Sequence, residues 1–141
     1  MDTPSVTQDS RYQSERLKER TKQFAIRIIR VYRSLPKTDE ARVIGKQVLR
    51  SATSAAANYR SACRARSKLE FISKISIVVE ETDETVFWLE LLADVGIVSA
   101  KRLGDILSEA NELLAIFAAS QHTARTNLNR KKSYGNPNGT Q

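Results

Sequence analysis

Apolar residues recur at helical spacing through four successive stretches of this chain, and little between them can break a helix. Only 5 Gly and 3 Pro occur in 141 residues, and Gly135, Pro137 and Gly139 fall at the very end. That scarcity favours long uninterrupted elements over a turn-rich β fold. Leu17, Phe24, Ile28, Val31 and Leu35 make one stripe, predicting a helix from about Ser14 to Leu35 that stops at Pro36. A second helix starts near Thr38 or Asp39 and follows Val48, Leu49, Ala52, Ala55, Ala56 and Tyr59 to about Cys63 or Arg64. Its small residues, Gly45 among them, would let a neighbour approach closely.

The third helix has the clearest start. Ser67-Lys68-Leu69-Glu70 reads as a capping box, in which the hydroxyl takes an amide three residues on and the glutamate reaches back. Its stripe runs Phe71, Ile72, Ile75, Val78, Val79, Thr82, Val86, Leu89, Ala93, and Gly96 is placed to end it. Ser99 can cap a fourth helix along Leu103, Ile106, Leu107, Ala110, Leu113, Leu114 and Phe117, fraying near Ala124. Short connections force antiparallel neighbours, so the predicted fold is all-α: an antiparallel up-down-up-down four-helix bundle over residues 14–126. Residues 1–13 are expected to be a disordered N-terminus, and 127–141 a flexible basic tail.

Charge is unevenly spread along these elements. Residues 1–68 carry 16 Lys/Arg against 6 Asp/Glu, residues 69–124 carry 3 against 10, and residues 125–141 carry 4 and none. The net +7 therefore conceals a basic first half and an acidic third quarter. A polyanion partner is one reading; mutual neutralisation between helices or subunits is the other. The basic residues crowd at one junction. Arg60, Arg64 and Lys68 follow at steps of four, with Arg66 between them, running into the start of the third helix. Guanidinium groups beside free helix amides suit phosphates, so these four are the candidate nucleic-acid-binding residues, with Tyr59 able to stack on a base. Against this, Tyr59 can be core, and Arg60 and Arg64 can pair with Glu80 and Glu84.

On the third helix Ile77, Trp88 and Leu91 fall outside the core arc, on the far face with Glu81 and Glu84. Exposed apolar patches mark interfaces and Trp is enriched in hot spots, so these three are the candidate oligomer interface.

Catalytic patterns are missing. Di-iron bundles need Glu-x-x-His pairs, yet the sole histidine, His122, has Ala119 three residues before it. Glu80, Glu81, Asp83 and Glu84 read as a solvated or ion-paired face. One cysteine, Cys63, makes no intrachain disulfide or multi-cysteine zinc site. No phosphate loop or serine elbow occurs. The expectation is a protein without enzymatic activity, metal or cofactor. Met1 to Ser10 have no apolar core of a signal peptide, and no run is long enough to span a membrane, which makes a cytoplasmic protein the expectation.

Three blocks carry a resemblance: Leu49-Arg50-Ser51-Ala52-Thr53-Ser54-Ala55-Ala56-Ala57-Asn58-Tyr59-Arg60, then Ala62-Cys63-Arg64-Ala65-Arg66-Ser67-Lys68-Leu69-Glu70-Phe71-Ile72-Ser73-Lys74, and Glu84-Thr85-Val86-Phe87-Trp88-Leu89-Glu90-Leu91-Leu92. Over roughly residues 20–120 the chain resembles the bacterial four-helix bundle proteins called intervening-sequence proteins, some of which are encoded within large-subunit ribosomal RNA genes. The resemblance implies a ring-like homopentamer. It also implies likeness in fold to the accessory protein of diversity-generating retroelements, which binds nucleic acid and a reverse transcriptase. No catalytic residue carries over from it. The expected function is nucleic-acid binding, RNA or DNA, by a homo-oligomer. The alternative is a protein scaffold or accessory subunit, for example of a reverse transcriptase.

Overall fold

The computed structural model describes residues 6–134, helical except at three short turns. Four helices follow in order: α1 (Val6–Ser34), α2 (Asp39–Cys63), α3 (Lys68–Asp94) and α4 (Ala100–Tyr134). Each packs against the next and α1 also touches α4, giving the antiparallel four-helix bundle. The ends are set by local chemistry. Thr38 Oγ1 accepts from the Ala41 amide at 3.3 Å, Ser67 Oγ from Glu70 at 3.0 Å and Ser99 Oγ from Arg102 at 3.2 Å. The carboxylate of Glu70 accepts from the Arg66 amide at 3.1 Å, one residue before the expected partner. Helix α3 stops in a Schellman turn: Ile97 N–H donates to Leu92 C=O, Gly96 N–H to Ala93 C=O, and Gly96 takes φ +75°.

The stripes meet in one core. Phe24, Ile28, Val48, Ile75, Val78, Leu89, Leu92, Leu103, Leu113 and Phe117 are fully buried. Tyr59 is buried with them, its ring 5.1 Å from that of Phe117. A Cβ on Gly45 would lie 2.7 Å from Leu35 Cδ1 and 3.1 Å from Tyr32 Cδ2, so this glycine is what seats α1 on α2. Between α2 and α3 the buried hydroxyls of Ser51 and Thr85 lie 2.8 Å apart.

The seam between α1 and α4 is slighter and partly polar. Arg20 forks onto Glu109, with its Nε 3.1 Å from Oε2, and reaches Glu112 at 3.0 Å. The Arg20 guanidinium holds the Glu109 carboxyl below its usual range, and the carboxylate in turn raises the arginine. A pair of this exposure is worth about 1 kcal/mol or less, against about 1.5–3 kcal/mol for each fully buried Phe or Ile. Phe24 and Ile28 therefore hold α1 more firmly than its salt bridge does.

Two expected boundaries are corrected. Helix α1 begins at Val6 and not at Ser14, and α4 runs to Tyr134 and not to about Ala124. No Pro or Gly interrupts residues 6–34, Asp9 sits in the first turn, and extending a helix that already exists adds one bond per residue fixed. In α4 the extension is fastened to α3: Gln121 Nε2 and Arg125 Nη2 donate to Ser76 Oγ at 2.9 and 3.3 Å, and Leu128 is half-buried. Lys131 and Lys132 in the last turn complement the helix dipole. Polar composition alone suggested disorder in both places. The remainder of the two expected tails, residues 1–5 and 135–141, lies outside the described residues.

Candidate nucleic-acid interface

One end of the bundle gathers the N-terminal half of α1, the end of α2, the start of α3 and the late turns of α4 around an open cleft of about 870 Å³. Leu17, Tyr59, Phe71 and Ile116 supply its apolar floor, while Arg66 and Lys68 stand on its rim. Of the four predicted cations, these two line the cleft. Arg60 and Arg64 are exposed on the outer face of α2 beside it. The side chains of Arg60, Arg64, Arg66 and Lys68 make no ion pair with any described residue. Lys68 is held beside Lys131, and that second ammonium pushes its pKa down. The extension of α4 thus adds a cation to this end.

Two acids of α3 are engaged elsewhere. Arg50 Nη1 meets Glu81 Oε2 at 2.8 Å and its Nη2 meets Glu84. The sequence offers Arg60 and Arg64 as partners for Glu80 and Glu84; the structure gives Glu84 to Arg50, ten residues before Arg60, and shows no ion pair of Glu80 with a described residue. Antiparallel packing explains this. Moving towards the C-terminus of α2 moves towards the N-terminus of α3, so Arg60 and Arg64 sit opposite the first turns of α3, where the one acid, Glu70, is taken up by the Arg66 amide.

Tyr59 is core and not a stacking platform: it is 5 % exposed. Burial raises both its phenol and the neighbouring Cys63 thiol, the opposite of an activated nucleophile. His122 is exposed on α4. Among the described residues no group of three or more His, Cys, Asp or Glu could hold a metal ion, and no helix is long and apolar enough to cross a membrane.

The outer face of α3 differs from the expected one in detail. Ile77 is 36 % exposed, but Trp88 and Leu91 are half-buried, and Trp88 packs against the core with Nε1 donating to Glu84 at 3.1 Å. Phe87, overlooked in the sequence, is 53 % exposed and edge-on to Trp88 with ring centroids 4.9 Å apart. Its signal was present, since one position before Trp88 is about 100° further round the helix.

Comparison with known proteins places this geometry. No curated protein matches the chain. A crystal structure of a protein of unknown function from the S23 ribosomal protein family of Bacteroides thetaiotaomicron VPI-5482 is similar at 32 % identity and a TM-score of 0.72. The match covers 77 % of this chain and 97 % of that one. Residues 14–119 match the model of the 23S rRNA-intervening sequence protein. The chain belongs to the 23S rRNA-intervening sequence protein family.

Proposed function

We propose that this protein is a non-enzymatic, homo-oligomeric bundle, a pentamer as the resemblance implies, that binds RNA or DNA through its basic end. One observation carries the reading: cations from α2, the α2–α3 turn, α3 and α4 collect at one end without an ion pair to any described residue, while the one acid of α3 among them, Glu70, is taken up by the Arg66 amide and Glu81 and Glu84 are tied to Arg50. Exposed cations that neutralise phosphates release the counterions condensed on the nucleic acid, which drives sequence-independent binding. The cleft floor is apolar and offers no nucleophile beside a base, so binding is the chemistry this end suits. The rival scaffold reading draws on the exposed Phe87 and Ile77, which a partner protein could cover as well as a second copy.

Reversing Arg64 and Lys68 to Glu tests the reading. Affinity for a labelled duplex should fall about tenfold or more for every sequence alike, with a salt slope flatter by about two. A chain ending at Ala124 should bind more weakly too, because Lys131 belongs to the same end. Undiminished binding by the Arg64→Glu/Lys68→Glu variant would remove this surface from the function. Complete absence of binding by the wild type at low salt would leave the scaffold reading.

A further inference from the structure

A second cation cluster lies at the opposite end of α2. Arg33 from the last turn of α1, Lys37 from the α1–α2 turn and Arg42 and Lys46 from the first turns of α2 surround a hollow of about 580 Å³ walled by Tyr32 and Pro36. None of the four has an ion-pair partner among the described residues. Asp39 and Glu40 are near in sequence but do not line the hollow.

The register of the two clusters is the informative feature. Arg42 and Arg60 are 18 residues apart, as are Lys46 and Arg64, and 18 residues make about five whole turns. The two members of each pair therefore share a meridian of α2 or its C-cap, the meridians being about 40° apart, and are separated by about 27 Å at 1.5 Å per residue. All four are exposed. Thr53 and Ala57, exposed between them, are short and uncharged, so nothing stands in the way of a rod laid along the face. Arg50, the cation in the middle, is occupied by Glu81 and Glu84.

Resting on the nucleic-acid reading above, we infer that the α1–α2 turn is a second phosphate-binding site, in register with the first, so that one chain grips a polynucleotide backbone at two points along α2. The span equals about eight base-pair steps of a duplex measured along its axis, at 3.4 Å each. Two linked contacts turn the second into an intramolecular event, so each cluster matters more than its charge alone would suggest.

The test compares Arg42→Glu/Lys46→Glu with Lys101→Glu/Arg102→Glu, an equal charge reversal on exposed positions of α4 away from this face. Each full-length variant is checked for helicity by circular dichroism and titrated against a labelled 24-base-pair DNA duplex. The inference predicts a loss of about tenfold or more and a salt slope lower by about two for the α2 variant, against less than about threefold for the α4 control. Equal losses in the two variants, or an unchanged affinity for Arg42→Glu/Lys46→Glu while Arg64→Glu/Lys68→Glu loses binding, would overturn the second site and leave the first. Failure of the wild type to bind the duplex would overturn both together.

Discussion

Helices α2 and α3 are neighbours that bury comparable inner faces, yet their outer faces have little in common. Inward, Val48, Ala52, Ala55 and Tyr59 meet Ile75, Val78, Thr82, Leu89 and Leu92. Outward, α2 shows Arg42, Lys46, Arg60 and Arg64 with short side chains between. Helix α3 shows Leu69, Ile77 and Phe87 among acids. The contrast teaches that the bundle fixes only half of each helix. The other half is free to vary, cationic on one helix and apolar among acids on the next. Arg50 marks the border, a basic residue of α2 neutralised because α3 places Glu81 and Glu84 opposite it.

Breaking the apolar side of this contrast should have the largest effect. Phe87→Glu puts a charge where the oligomeric reading needs a dry contact, so light scattering should fall from a multimer to the 15.8 kDa chain while circular dichroism stays helical. An unchanged multimer would take the outer face of α3 out of the assembly. Erasing the border is a smaller change. Glu81→Gln/Glu84→Gln leaves Arg50 unpaired and should lower stability in urea by about 1 kcal/mol, the scale of exposed ion pairs. Nucleic-acid affinity should hold or rise, because a further cation on α2 becomes available; a loss would mean that these acids support the binding face. The smallest effect belongs to the α1–α4 seam. Glu109 titrates below its unfolded value, so its contribution is present above the usual carboxylate pKa and is lost as pH falls through the depressed folded pKa. Wild-type stability should drop below about pH 4 by up to about 1 kcal/mol, and Glu109→Gln should lack that component. Identical acid limbs in the two proteins would show that the Arg20 clasp is not what holds this seam.

Much of the bundle is legible in the residues because its determinants are local. Thr38, Ser67, Ser99 and Gly96 announce helix ends through hydrogen bonds spanning three to five residues, and the structure keeps each one. The lengths of α1 and α4 were not legible. No stop signal occurs between Ala124 and Gly135, and the contact fastening the extension, Arg125 to Ser76, joins residues 49 apart. The identity of the paired arginine was hidden for the same reason. Arg50, Arg60 and Arg64 are alike in type and helix, and only the packing against α3 decides which of them meets an acid. Trp88 was expected on the outer face and instead packs partly against the core, while its neighbour Phe87, for which no reading was made, is exposed.

The central claim, that the unpaired cations form a phosphate-binding surface, is met most directly by titrating wild-type protein against one labelled duplex across a series of salt concentrations. Log affinity should fall linearly with log salt, with a slope of about −0.9 for each phosphate engaged, so that four or more contacts give a slope of about −4 or steeper. Affinity that scarcely changes with salt, or no binding at the lowest salt, would contradict it.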